Sequence, residues 1–433
     1  MAGSRAQFVV MKKWLLRIGL GFLAVLALLL GIIFLRSLTP APVQNQELQL
    51  VRASIPQGAN GYDVLVAATN HIWWPKAQDQ QLYDLAKDTN WDDVLAGTVL
   101  ASNREALVGW DAAVKLPDFQ IPEISTLNDM LPYLPGWKQL ALLAEVRENV
   151  LLHNGQDTDA FDQILNHVRL GRRMQNSRGV LIVYLVGTAV HNMGLNQLQH
   201  WAGKTHLSPE QLKGYILQLK PQPGDAATAF ANAIRVEHQM QINTLVALRD
   251  GRMTNSVSGG YQPHLWSVWP LFSFSQTKAL FAQGALKLVK AAPYPYREAN
   301  ITEMESQPGR TSMFLSGNWT GQILYYMMMP ALANSLERKS RNDVQLQATR
   351  TILALRAYQL THGNLPADLK ALMPEFLDAV PLDDFDGQPL RYSAGKKIVY
   401  SVGKNLKDDG GDDRTLPADS SQRHLDLVYK FDF

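Results

Sequence analysis

The sequence contains no cysteine among its 433 residues. This absence excludes disulfide bonds, thiolate metal ligands, thiol nucleophiles and lipidated cysteine anchors. The chain also lacks an excess of charge of either sign, since 41 lysines and arginines face 39 aspartates and glutamates. A protein that binds nucleic acid usually carries a basic excess, so the composition gives no support for a nucleic-acid partner.

Common catalytic motifs are also missing. The sequence has no G-x-S-x-G nucleophile elbow, no phosphate-binding P-loop and no H-E-x-x-H zinc motif. Arg235, Glu237 and His238 fall close together on a predicted helix and could line a cleft, although a plain helix surface is the more common outcome. The sequence therefore names no catalytic residue and no reaction.

The strongest positive feature is an apolar run near the N-terminus. Ile18 to Leu35 gives 18 residues without a charge, about 27 Å as a helix, and starting at Trp14 extends it to about 33 Å. Residues 14–36 are therefore predicted to form a transmembrane anchor. A cleaved signal peptide is the alternative, but the run is long for one, and Arg36 to Pro40 make a poor cleavage site.

The charges that flank this run predict its orientation. Arg5, Lys12, Lys13 and Arg17 precede the apolar core, whereas Arg36 alone follows it directly. Because the positive side stays in the cytoplasm, residues 1–13 are expected to be a cytoplasmic tail. The predicted location is the inner membrane of a bacterium, crossed once, with the bulk of the chain in the periplasm.

Residues 37–60 are polar and carry Pro40, Pro42 and Pro56, which predicts a linker that holds the folded part off the membrane. Residues 61–334 then show mainly helical periodicity. This pattern predicts an antiparallel helical bundle or an α-solenoid-like stack. The predicted helices are Trp91–Leu116, Trp137–His153, Asp159–Met174, Val180–Trp201, a helix capped by Ser208, Ala226–Leu248, Ser275–Lys290 and a buried one within Thr320–Leu336.

Residues 335–433 change in character and are predicted to form a small α+β module. One helix ends at Gly363, and turn residues then separate short alternating segments. The predicted strands are Leu390–Ser393, Ile398–Val402 and Leu425–Phe431. The whole chain is therefore expected to be mainly α-helical, with this module at its end.

Several short sequence segments of the C-terminal module are similar, in their order, to those of a known protein family. They are Ala354–Pro366, Val380–Asp383, Gly387–Tyr392, Tyr400–Gly403 and the acidic loop Asp408–Asp413. In this order they resemble the C-terminal module of the major pseudopilins of type II secretion. Those proteins carry a glutamate at the start of the membrane helix, whereas no acidic residue precedes Glu47 here. We therefore do not expect processing by a prepilin peptidase or assembly into a fibre.

The same resemblance implies a calcium site in the acidic loop. Calcium binds several carboxylate and carbonyl oxygens, and Gly410 and Gly411 let the backbone curl around an ion. A solvated acidic turn without an ion is the alternative. The expected ligands are Asp408, Asp409, Asp412 and Asp413, with Asp426 reaching in from the last strand.

Two functions follow from this organisation. The leading one is a membrane-anchored periplasmic scaffold or accessory protein that contacts inner-membrane lipid and binds other envelope proteins. The alternative is a periplasmic hydrolase whose site lies in a cleft of the helical domain. An enzyme should show a deep pocket with converging titratable groups of shifted pKa, whereas a scaffold should show an apolar patch or groove instead.

Overall fold

The chain is mainly helical, with one small antiparallel sheet near its C-terminus. A computed structural model describes residues 2–42, 46–127, 129, 131–250, 272–299, 310–414 and 425–433. The helices are α1 (Ala2–Leu38), α2 (Gly61–Thr69), α3 (Asp79–Ala86), α4 (Asp93–Ser102), α5 (Arg104–Lys115), α6 (Leu134–His153), α7 (Asp157–Gln175), α8 (Leu181–Trp201), α9 (Pro209–Gln218), α10 (Asp225–Arg249), α11 (Phe274–Ala291), α12 (Arg310–Leu315) and α13 (Trp319–His362). The strands are β1 (Arg391–Ser393), β2 (Ile398–Ser401) and β3 (Leu427–Lys430).

Helix α1 contains the apolar run. Its segment Trp14–Leu38 comprises 25 residues and is, among the described helices, the one long and apolar enough to cross a membrane. Most of its side chains are exposed, as expected of a helix that has no protein around it. Ile33 and Ser37, near its C-terminal end, are exceptions at 2% and 8% exposure, because this end packs against the folded body.

The start of α9 follows the sequence prediction. The Ser208 side chain accepts a hydrogen bond from the backbone NH of Gln211, and the Gln211 side chain accepts one from the backbone NH of Ser208. This reciprocal capping satisfies two NH groups that the first helical turn leaves without partners. Leu212, Tyr215 and Ile216 are buried on one face of this helix.

One predicted helix is wrong. The segment Trp91–Leu116 is two helices, α4 and α5, separated at Asn103. The Asn103 side chain is fully buried, accepts a hydrogen bond from the NH of Trp73 and donates to the carbonyl oxygens of Trp73 and Val99. These bonds tie Asn103 to a distant loop, and its backbone leaves helical geometry.

Helices α7 and α8 pack so closely that their backbones nearly touch. A Cβ atom on Gly171 would lie 2.5 Å from the Cα of His191, and one on Gly187 would lie 2.6 Å from the backbone nitrogen of Gln175. Glycine is therefore required at both positions because no side chain fits. This pair forms the centre of the helical body.

Helix α13 joins the helical body to the C-terminal sheet. It runs without interruption for 44 residues, where the sequence predicted two helices, and it includes Pro330. Its end at Gly363, which has the left-handed conformation, is where the sequence predicted it. The predicted domain boundary between residues 334 and 335 lies inside this helix. Buried residues of the helices and of the sheet, including Leu353, Val399 and Phe431, belong to one continuous hydrophobic core.

The sheet has the order β1-β2-β3, with both pairs antiparallel. Val399 of β2 pairs with Tyr392 on one side and with Tyr429 on the other. The three predicted strands are confirmed, each within two residues of its bounds. The sheet packs against α13, so the small α+β arrangement is present as expected.

The segment predicted as a linker packs against the body rather than forming a spacer. Leu48 is 3% exposed and belongs to the main core, and Arg235 donates a hydrogen bond to the carbonyl oxygen of Glu47 at 2.8 Å. Further along, Ala53 exchanges two hydrogen bonds with the Gln120 side chain. An apolar side chain and several backbone bonds therefore hold the segment on the surface of the body.

Candidate functional site

A cleft of about 680 Å³ opens between four segments of the body. One wall is the connection between α9 and α10, and another is the stretch that follows α11. The floor is the middle of α13, and the remaining wall is the turn at residues 378–387 that leads to β1. The volume falls within the range of ordinary ligand-binding pockets.

Lys339 lies on the floor between two carboxylates. Its ammonium group is 2.9 Å from Asp343, one turn further along α13, and 3.0 Å from Asp384 in the opposite wall. Burial works to lower the pKa of Lys339, but the two carboxylates outweigh it and raise that pKa. Burial raises the pKa of Asp384 to about 6 despite the nearby ammonium. The pair with Asp384 ties α13 to the wall of the cleft.

Arg350 and Lys220 share the carboxylate of Asp378 at the other end of the cleft. The Lys220 ammonium is 2.6 Å from Asp378, and the Arg350 guanidinium is 3.7 Å from it. Burial lowers the pKa of Arg350, and the Lys220 hydrogen bond lowers the pKa of Asp378. Charges of both signs therefore alternate along the cleft and pair with one another.

A small recess adjoins the cleft and shares Asp343 and Leu346 with it. The most buried residue that lines it is His191, which is 1% exposed and whose Nδ1 lies 3.0 Å from the amide oxygen of Asn342. An amide oxygen only accepts, so Nδ1 carries the proton. Burial first, and then the charge of Arg172, lower the pKa of His191 to about 3. The imidazole is therefore neutral.

The cleft combines titratable groups of shifted pKa with apolar walls. Among the described residues, none that lines it is a serine, threonine, tyrosine or histidine, so no hydroxyl or imidazole nucleophile faces the cavity. The groups that do face it are paired charges, two glutamines, aliphatic side chains and prolines. Such a lining can hold an extended polar and apolar segment by complementary contacts.

The five aspartates predicted as calcium ligands fall into two sets. Asp426 is 2% exposed and accepts hydrogen bonds from the NH groups of Asp409 and Gly411. Asp408 accepts from the NH of Gly410 and from the Tyr400 hydroxyl. These three carboxylates lie close enough together that Asp408 and Asp409 help burial raise the pKa of Asp426.

The other two aspartates already have cationic partners. Asp412 lies 2.6 Å from the Arg414 guanidinium, and Asp413 lies 2.6 Å from the Lys430 ammonium. In the part of the chain that the structure describes, no group of three or more acidic or histidine side chains is arranged to hold a metal ion. Calcium binding here stays a prediction of the pseudopilin resemblance.

The polar cluster predicted on α10 does not line the cleft. The Glu237 carboxylate accepts a hydrogen bond from the backbone NH of Leu181 at the start of α8, and burial raises its pKa. Arg235 holds the Glu47 backbone, and His238 is buried. These residues therefore have structural contacts. Trp266 and Trp269, aromatic residues that could form a hydrophobic docking site or pack in the core, lie outside the described residues.

The end of α1 is fixed to the body at a contact that we call the α1 junction, formed by residues 33–39, 272–277 and 313–318. Arg36 donates to the carbonyl oxygen of Leu315 at 2.9 Å, and Gln276 donates to the carbonyl oxygen of Arg36 at 2.6 Å. A Cβ atom on Gly317 would lie 2.8 Å from the Ile33 carbonyl oxygen. Such close backbone contact sets a fixed geometry between α1 and the body.

The chain was compared with protein-family models, with curated proteins and with solved structures, and none of them matches it.

Proposed function

We propose that this protein is a membrane-anchored accessory protein of the bacterial envelope. In this proposal α1 crosses the inner membrane once, and the folded body lies in the periplasm. The cleft binds a peptide segment of another envelope protein, so that the chain acts as a scaffold rather than as an enzyme.

The lining of the cleft is the observation that carries the proposal. Rigid prolines from three separate segments form its walls, and they need little ordering when a ligand binds. Paired charges of both signs, such as Lys220 with Asp378, can exchange partners with the charges of a peptide. The prolines are Pro221, Pro223, Pro293, Pro295 and Pro381.

The α1 junction supports the membrane part of the proposal. A body that is held through Arg36 and Gln276 keeps one orientation relative to the helix that enters the lipid. The outward orientation rests on the excess of basic residues before the apolar run. A scaffold gains from both, because its binding cleft then has a defined height and direction above the bilayer.

The hydrolase alternative is favoured by one observation. Asp384 has a pKa raised to about 6 beside Lys339, and a carboxyl of that kind can serve as a general acid or base. If the cleft were catalytic, Asp384→Asn would abolish turnover while leaving ligand binding in place. If the cleft binds a peptide without cleaving it, the same substitution changes the affinity for that peptide. No hydrolysis product then forms with the natural protein or with the variant.

A photo-crosslinking amino acid at Leu382 tests the scaffold proposal directly. Leu382 lines the cleft and is 57% exposed, so its replacement should not disturb folding. In intact cells we expect a crosslink to one envelope protein, at least fivefold weaker when Lys220→Glu reverses the charge at the cleft rim. The same amino acid at Val94, which is 81% exposed outside the cleft, is the matched control. Equal crosslinking from both positions, or none from Leu382, would contradict peptide binding in the cleft.

A further inference from the structure

We propose that the exposed face of the first part of α13 lies on the lipid of the same membrane that α1 enters. This inference rests on the proposed anchor and adds a second lipid contact, made by the body itself. Four apolar residues spaced four apart form the contact, which we call the α13 stripe: Trp319, Ile323, Met327 and Ala331.

The two faces of this part of α13 differ in what they contact. Tyr325 and Met329 are buried against α11, where Tyr325 meets the Phe281 ring edge to face. On the other face Met327 is 73% exposed, Ala331 is exposed and Ile323 is half-buried. Trp319 is 36% exposed and keeps a contact within the protein. The helix therefore presents one apolar face to the core and a second apolar face outward.

The distribution of charge along α13 separates its two parts. No charged residue occurs from Trp319 to Leu336, which is 18 residues, and charges begin at Glu337. A helix surface that faces water normally carries charged side chains, and an exposed face without them marks a contact with a partner or with lipid. The uncharged part of α13 is the part that starts next to the α1 junction, whereas the charged part lies further along the helix.

The position of the α1 junction identifies lipid as the partner. Ile33 belongs to the apolar run that enters the bilayer, yet its side chain is buried against the body. The residues around it, including Gly317, therefore lie at the depth where the hydrocarbon meets the headgroups. Trp319 follows Gly317 by two residues, and tryptophan is enriched at that depth in membrane proteins.

The two helices that leave the α1 junction run side by side in the same direction. Thr277 of α11 contacts Asn318, Phe281 contacts Tyr325, and Gly284 lies against Met329. Both helices therefore begin at the α1 junction, which places the start of the α13 stripe beside the point where α1 leaves the lipid.

Because the natural chain has no cysteine, a thiol-reactive probe attaches only at the one cysteine that is introduced. The full-length chain is placed in nanodiscs of phosphatidylethanolamine and phosphatidylglycerol, with bimane at one position and a spin-labelled lipid as quencher. The positions are Met327→Cys in the α13 stripe, Leu26→Cys in α1 and Leu360→Cys near the other end of α13. Leu360 is 41% exposed and about 50 Å along the helix from Met327.

We expect the spin-labelled lipid to quench bimane at Met327 at least half as strongly as at Leu26. At Leu360 we expect less than a tenth of the quenching at Leu26. Quenching at Leu26 without quenching at Met327 would overturn the lipid contact and leave the anchor in place. No quenching at Leu26 would instead contradict the anchor itself. An unchanged melting temperature of the Met327→Cys chain confirms that the substitution leaves the fold intact.

Discussion

Replacing Gly171 with alanine is expected to destabilise the folded protein by about 3 kcal/mol, because the new methyl group would overlap the backbone of α8. Its Cβ would lie 2.5 Å from the Cα of His191, and backbone atoms cannot move aside as a flexible side chain can. The overlap would separate α7 and α8 along their central contact. The melting temperature of the full chain in detergent measures the effect.

The matched control is the same substitution at Gly214 in α9. A Cβ at Gly214 meets nothing within 4 Å, and alanine is favoured over glycine inside a helix by about 1 kcal/mol. Gly214→Ala should therefore raise the melting temperature slightly, while Gly171→Ala lowers it strongly. Equal effects at the two positions would show that α7 and α8 do not pack as closely as described.

Removing the ammonium group of Lys87 is expected to cost about 3 kcal/mol at pH 8, because it leaves a buried carboxylate without its cation. Lys87 donates to both carboxylate oxygens of Glu145 at 2.8 Å, and the Glu145 side chain is 1% exposed. Lys87→Met breaks this pair, whereas Lys87→Met combined with Glu145→Met should recover most of the loss. Unfolding in denaturant at fixed pH measures all three proteins.

The pH dependence of this effect has a definite sign. Burial raises the pKa of Glu145 to about 7 from its ordinary 4.5, despite Lys87. The folded chain therefore keeps a proton that the unfolded chain has released, and the free energy of unfolding falls as pH rises from 4.5 towards 7. Without Lys87 that pKa rises further, so the loss should grow between pH 5 and pH 8. A loss of the same size at both pH values would contradict a buried ionised Glu145.

Features set by neighbouring residues could be predicted from the sequence. The capping box of Ser208 and Gln211 and the stop at Gly363 depend on residues within one helical turn. The strands were predictable because short segments of alternating apolar and polar residues lie between turn residues. The apolar run of α1 is defined by composition alone. Each of these signals is local, so no knowledge of distant contacts was needed.

Features set by distant contacts could not be predicted in the same way. Asn103 looks like an ordinary helix residue until its bonds to Trp73 are known. The cleft likewise brings Lys339 of α13 against Asp384, 45 residues later in the chain, and sequence reasoning did not identify it. The i,i+4 spacing of Lys339 and Asp343 does predict their ion pair on one helix face, but it says nothing of Asp384. For Glu145, the signal was a carboxylate within an otherwise apolar helical stretch.

We propose above all that α1 crosses the membrane once and leaves the body outside the cytoplasm. The most direct measurement is the reaction of single thiols in intact spheroplasts with a maleimide that cannot cross membranes. Because the natural chain has no cysteine, Val94→Cys in the body and Gln7→Cys in the N-terminal tail report without background. We predict that Val94→Cys reacts in intact spheroplasts and Gln7→Cys only after permeabilisation. Reaction of Gln7→Cys before permeabilisation, with Val94→Cys protected, would contradict this orientation of α1.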